Sequence, residues 1–282
     1  MSFFLSNSSY WIHDLSPFLW RFPGELANLG PGGIRWYGIS YLLGFISAYF
    51  LLKLYFKNNR SPYDQEQIMN LITFQIIGVL IGGRIGYLLL YQGEKFLSDP
   101  MTIFRVWEGG MASHGGFVGV FVATLWYAKK SSQSIKPIGD LIVSIVPPGL
   151  FFGRIANFIN GELWGKVTQV EWGIIFPKAP DFALGMARHP SQIYAAISEG
   201  LIPFIYIQWR FWRSSITNKY PGQLAGEFLI LYSIARIFNE LFREPDATLL
   251  FGISRGQFYS IFLLIGGVFI VYWARKAEDA AK

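Results

Sequence analysis

Seven apolar stretches recur along this 282-residue chain, near residues 34–56, 68–92, 115–129, 137–160, 190–212, 222–242 and 256–274. A run of about 20 apolar residues is what a helix needs to cross the hydrocarbon core of a bilayer. Inside that core every backbone polar group must be paired within the segment, so repeated runs leave helices as the spanning structure. The third run is the shortest. Composition agrees: 52% of residues are hydrophobic, only 15% are charged, and the mean hydropathy is +0.34. That profile is far from a soluble globular domain. The expected fold is therefore an all-α polytopic membrane protein with seven transmembrane helices.

Orientation follows from the basic residues in the connections. One side gathers twelve Lys and Arg with five acids, whereas the other has nine diluted among ten acids. The first side is read as cytoplasmic, which puts the N-terminus outside and the C-terminus inside. The net charge of +6 is thus a topology signal, and no basic-aromatic nucleic-acid motif accompanies it. MSFFLSNSSYWIHDL lacks the basic start of a signal peptide, its first basic residue being Arg21, so the segment is expected to be retained. Residues 1–33 are broken by prolines and glycines and read as an interfacial arm. Residues 34–275 form the seven-helix body and 276–282 a cytoplasmic tail. Within the body, 93–113 is expected to lie along the outer surface. Residues 161–189 are expected to form a small outer cap, with strand-like alternation at Val170, Trp172, Ile174 and Phe176.

Three basic residues, Arg84, Arg154 and Arg236, fall within the spans. An ionisable side chain at such depth marks a functional site by default. The segment GRIANFINGELWG, 153–165, is the densest case, carrying Arg154, Asn157, Asn160 and Glu162 at the end of an apolar run. At 1.5 Å rise per residue, Arg154 lies roughly 9 Å below the outer end of its span and Arg236 about as far below Phe242. Tyr37 and His114 stand at the outer mouths of the first and third spans. Two guanidiniums at one level suit bidentate contact with a phosphate whose lipid tails remain in the membrane. The competing reading is a structural pair with a carboxylate, for which Glu240 is available four residues after Arg236. His114 is followed by Gly115 and Gly116, and an imidazole, with an unperturbed pKa of roughly 6.5, suits a general base near neutrality. His13 has no polar constellation near it in sequence, and His189 is read as a cap of the fifth span. Glu227, near the inner end of the sixth span, is read as interfacial or paired.

Gly78, Gly82 and Gly86 form two successive GxxxG repeats, and Gly115/Gly119 and Gly149/Gly153 one each, a signal of close helix packing. No cysteine is present, which excludes disulfides, thiolate metal sites and a cysteine nucleophile. No cluster has metal-ligand spacing, and no cofactor is expected.

The segments GGRIGYLLLY, FRVWEGGMASHGG, GRIANFINGELWG, RHPSQIYAAISEG and RIFNELFREPD, in this order, resemble the prolipoprotein diacylglyceryl transferases along nearly the whole chain. The resemblance implies a bacterial inner-membrane enzyme with seven spans and a periplasmic cap. It implies transfer of diacylglyceryl from phosphatidylglycerol to the lipobox cysteine thiol of a preprolipoprotein, with release of glycerol phosphate. By position, Arg154 and Arg236 resemble the phosphate-binding arginines and His114 the proposed base. Tyr37, Asn157, Asn160, Glu162, Gly165 and Glu240 match substrate-binding positions. Ile155 and Ala156 depart mildly, and the cap over 166–187 is shorter than in some members. Whether His114 or the arginine field activates the thiol stays open at this level. A secondary transporter would show inverted repeats and a midplane site, neither of which is found, and a non-catalytic lipid-binding protein is the third reading.

Overall fold

The computed structural model describes residues 10–24, 32–61, 63–105, 110–245 and 248–279. The long helices are α1 (Trp36–Lys57), α2 (Gln65–Tyr91), α4 (Ser113–Lys130), α10 (Gln223–Asn239) and α11 (Arg255–Asp279). Between them lie α3 (Gly93–Ser98), α5 (Ile135–Ile145), α6 (Pro147–Ile159), α7 (Ser191–Ala195), α8 (Ile202–Arg213) and α9 (Ile216–Lys219). Four stretches are long and apolar enough to cross a membrane: Trp36–Lys57, Gln65–Leu89, Ile135–Ile159 and Arg255–Lys276. The other three expected spans are helical but shorter, as in α4 and α10, or broken into pieces between Ser191 and Arg213.

Local chemistry accounts for several boundaries. Asp64 caps α2 by accepting from Gln67 N at 2.9 Å, while the Gln67 side chain accepts from Asp64 N at 3.1 Å, a reciprocal capping box. The expected fourth span is two helices, because Pro147 and Pro148 cannot donate within α5 and so start α6 afresh. In the fifth span, Ala196–Leu201 is a π-turn placed just before Pro203. Proline at 203 removes the bond that the Glu199 carbonyl would otherwise accept, and its ring crowds that same carbonyl, so the backbone widens there.

Glycines set the tightest seam. A Cβ on Gly78 would lie 2.5 Å from the Gly119 carbonyl oxygen, and Gly82 meets Gly115 in the same way, so α2 and α4 touch backbone to backbone. Gly44 of α1 faces Gly149 of α6, and Gly226 of α10 faces Gly267 of α11. The main core lies between α1, α2, α4, α5, α8 and α10 and includes Leu52, Tyr55, Leu71, Ile138, Ile207 and Leu224, all fully or nearly fully buried.

The described residues of the N-terminal arm, 10–24 and 32–33, hold more regular structure than an interfacial segment requires. Strand β1 (Trp11–Ile12) pairs in parallel with β4 (Ile174–Ile175) of the cap, and β2 (Phe18–Arg21) pairs antiparallel with β3 (Gly33–Arg35). The expected boundary after residue 33 therefore falls inside β3. Of the alternating cap segment only Ile174–Ile175 forms a strand, with Phe176 fully buried behind it. The surface segment at 93–113 holds α3 and a 3₁₀ turn at Pro100–Phe104, while residues 106–109 lie outside the described residues. Arg84 serves this segment: buried at 3% exposure, it donates to the Thr102 carbonyl at 2.6 Å and the Arg105 carbonyl at 2.9 Å.

Candidate active site

Arg154 on α6 and Arg236 on α10 converge on one carboxylate, Glu199. Arg154 donates to Glu199 Oε2 through Nε at 3.0 Å and Nη2 at 2.7 Å, and Arg236 reaches Oε1 from Nη1 at 3.4 Å. Asn239 Nδ2 is the second donor to Oε1, at 3.0 Å. Glu199 is fully buried, so the positive groups around it are what make its charge tolerable there. The π-turn and Gly200 put it in reach. A Cβ at 200 would lie 2.7 Å from the Phe151 Cα, which leaves only glycine to bring this turn against α6. On its other side Arg236 pairs with Glu240, Nη2 to Oε1 at 2.6 Å, as the i,i+4 spacing requires. Gly256 lies over that pair, since a Cβ there would sit 2.6 Å from Glu240 Oε1.

Glu199 is the residue missed at the sequence level. The signal was present: a lone acid inside an apolar run. It was masked because the run reads as a single uninterrupted span. Glu227 is paired, with Arg210 at 2.7 Å and Gln223 at 2.7 Å.

The turn leaving α6 organises the asparagines. Gly161 and Leu163 both take left-handed conformations, φ +59° each, and fold the chain back so that the Glu162 carboxylate meets its own helix. Asn157 donates to Glu162 Oε1 at 2.9 Å and Asn160 at 3.3 Å. The Tyr37 hydroxyl lies among Tyr41, Asn157, Glu162 and Arg154. Thus Tyr37, Asn157, Asn160 and Glu162 come together around Arg154. Gly165 does not join them. Its N–H donates to the His189 carbonyl at 2.9 Å and its carbonyl accepts from Arg188 at 2.8 Å, in a seam where a Cβ would meet His189 and Phe242. His114 begins α4, and its side chain lies outside the described residues.

The cap is tied down by Arg188, which pairs with Asp181 at 2.8 Å and Glu244 at 3.0 Å. Burial alone would depress its pKa, but the two carboxylates more than offset that and raise it. His189 does not cap α7, whose first turn follows Pro190 without a side-chain cap. It packs on Phe242, contacts the Tyr194 hydroxyl at 3.2 Å, and burial pushes its imidazole below the usual range. His13 has a partner set after all, with Nε2 2.7 Å from the Phe158 carbonyl and its ring against Phe158 and Phe176.

Two spaces meet at Arg154 and Asn157. One is a largely apolar cavity of about 280 Å³, walled by residues such as Phe45, Val79, Phe117, Ile145 and Leu150, with Tyr37 and Tyr232 among its hydroxyls. It runs along α1 from Tyr37 to Ala48, roughly 16 Å at helical rise. Gly116 and Gly153 line it with nothing within 4 Å of their would-be Cβ atoms, so these two glycines keep it open. The other is a polar crevice of about 10 Å³ between Gln192, Arg236, Asn239 and Arg243. Such a pairing suits an amphiphile with its charged group at the junction. Among the described residues no three His, Asp or Glu side chains gather as a metal would need.

Comparison with known proteins matches this geometry to a family. The family model for prolipoprotein diacylglyceryl transferase covers residues 25–273. A protein of Pseudoalteromonas atlantica named phosphatidylglycerol–prolipoprotein diacylglyceryl transferase is 41% identical over 262 residues, 90% of each chain. Proteins of the same name from Oleidesulfovibrio alaskensis and Vibrio vulnificus are 42% and 43% identical, covering 90% and 88% of this chain and 94% and 90% of their own. With an arginine-lined junction between apolar and polar spaces in a helical membrane protein, and with matches of this extent, the chain belongs to the prolipoprotein diacylglyceryl transferase family.

Proposed function

We propose that this chain transfers the diacylglyceryl group of phosphatidylglycerol to the lipobox cysteine thiol of preprolipoproteins, the first step of lipoprotein maturation. The names of its relatives supply the two substrates. The observation that carries the reading is the position of Arg154, in the wall shared by the apolar cavity and the polar crevice. Lipid tails belong in the first, the phosphate at the junction within reach of Arg154 and Arg236, and the polar headgroup in the second.

The chemistry is displacement at carbon. The cysteine sulfur attacks the glycerol carbon that bears the phosphate ester, the carbon–sulfur bond forms, and the carbon–oxygen bond breaks. Glycerol phosphate leaves with the bridging oxygen and the electron pair. Negative charge grows on that phosphate, and guanidiniums held in a site poor in water stabilise it where the dielectric is low. Glu199 and Glu240 orient the guanidiniums, Asn157, Asn160 and Glu162 hold the turn beside them, and Tyr37 faces the same junction. The thiol, with an ordinary pKa near 8.5, must lose its proton. His114 is the residue proposed to take it. Gly165 acts through the cap, by letting the chain after Leu163 lie against His189.

The body is proposed to span the bacterial inner membrane seven times within residues 34–275, with the arm at 1–33 and the cap at 161–189 periplasmic, the tail at 276–282 cytoplasmic, and the site open to the outer leaflet.

Purified protein incubated with labelled phosphatidylglycerol and a lipobox peptide should yield a thioether-linked diacylglyceryl peptide and glycerol phosphate. Lipid bound without product would mean a binding protein, and neither binding nor product would exclude the reading. In the same assay His114→Gln should be impaired about 10² to 10⁴-fold near neutrality and recover at alkaline pH, where thiolate forms unaided. Full activity at neutral pH would remove His114 from the base role.

A further inference from the structure

The polar crevice carries a feature that the phosphate does not explain. Gln192 and Asn239 are each 2% exposed, and Gln192 Oε1 and Asn239 Oδ1 have no hydrogen-bond partner among the described residues. The identity of those atoms is fixed by their neighbours. Gln192 Nε2 donates to the Glu162 carbonyl at 2.7 Å, and Asn239 Nδ2 to the Glu199 carboxylate at 3.0 Å. Both partners only accept, so each nitrogen must face its partner and each amide leaves its oxygen over. Leaving a buried acceptor unmade costs about 1–3 kcal/mol, and here the two residues that carry such oxygens line one crevice with Arg154, Arg236 and Arg243.

We infer that Gln192 and Asn239 form the headgroup-reading subsite, where a hydroxyl of the glycerol headgroup donates a hydrogen bond to one of the two side-chain oxygens. This rests on the transferase reading above and extends it to the choice of phospholipid. About 10 Å³ accommodates one hydroxyl-sized group. The ligand must therefore place a small donor just beyond the phosphate. A hydroxyl, with its one proton, satisfies one of the two oxygens without adding charge, whereas the ammonium of an ethanolamine headgroup would enter a space walled by three guanidiniums. The subsite thus selects a neutral polyol headgroup over a cationic one and over an alkyl one.

The test compares three lipids with identical tails: phosphatidylglycerol, phosphatidylpropanol, which lacks the headgroup hydroxyls, and phosphatidylethanolamine. The full-length protein and a lipobox peptide are used, and thioether product is measured for each. The wild type should prefer phosphatidylglycerol over phosphatidylpropanol by roughly 10 to 100-fold, the cost of one buried acceptor left unmade. In at least one of Gln192→Met and Asn239→Leu, the one whose oxygen takes the hydroxyl, that ratio should fall about ten-fold toward unity. Because the ratio is taken within one preparation, it does not depend on how much protein folds. For a variant without turnover, the same ratio is read from the lipid concentrations that protect it from thermal unfolding. A ratio unchanged in both variants, or a wild type indifferent to the hydroxyls, overturns the subsite. A wild type that makes no product from phosphatidylglycerol overturns the transferase reading itself.

Discussion

Glu199 decides how the two arginines can be charged and rigid at once. Each guanidinium has more N–H groups than its carboxylate partners accept, so the shared pair fixes orientation while leaving donors for a phosphate. Glu199→Gln keeps the shape but removes the charge, leaving two partly buried guanidiniums with Glu240 as the remaining carboxylate beside Arg236. Breaking one partner of a buried ion pair typically costs about 3–5 kcal/mol. We expect thermal stability to fall and glycerol phosphate release to drop by at least about 10²-fold, both measured on the purified variant; wild-type turnover would show that Glu199 does not orient the clamp. Arg154→Lys and Arg236→Lys should each be strongly impaired, because lysine keeps charge but loses the planar fork. If both act on one phosphate their losses will not multiply, and the double variant should be little worse than the poorer single one. Rates that simply multiply would mean separate roles.

At the level of elements, the helices were readable from apolar runs because the bilayer demands length and leaves little else to specify. The Arg236–Glu240 pair was readable too, since i,i+4 spacing alone brings those side chains together. What could not be read was the break inside a run. The pause at Val146–Pro147 and the π-turn before Pro203 depend on where a proline meets a particular turn, and the turn's close approach to α6 depends on Gly200 meeting Phe151 across more than forty residues of chain. The glycine repeats show the same limit: Gly119 and Gly116 sit three apart on α4, yet one is packed against Gly78 and the other faces open cavity. Gly119→Val should therefore force α2 and α4 apart and lower thermal stability sharply. Gly153→Leu should leave stability close to wild type while filling the tail cavity, and activity should be lost toward long-tailed lipid before short-tailed lipid. Thermal unfolding together with turnover on lipids of two tail lengths separates the outcomes, and equal effects of the two substitutions on stability would contradict the distinction.

For the molecule as a whole, orientation governs whether the site can meet the substrates proposed for it. The arm pairs through β1 with β4 of the cap, so arm and cap must share one side of the membrane. Arg154, Arg236 and Tyr37 all lie toward the ends of their helices nearest that side. The turn between α4 and α5 is flanked by Lys129 and Lys130 of α4 and Lys136 of α5, at the far end of the α5–α6 stretch from Arg154, and these basic residues are the ground for expecting it on the cytoplasmic side. The chain has no cysteine, so single substitutions give an unambiguous reading. Ser16 is exposed in the arm and Ser132 is exposed in the α4–α5 turn. In intact cells with the outer membrane permeabilised, Ser16→Cys should react with a membrane-impermeant thiol reagent, and Ser132→Cys should react only after the inner membrane is opened. Equal labelling in intact cells would break the sidedness argument. The reverse pattern would put the arginine junction at the cytoplasmic leaflet, where a translocated thiol could not reach it.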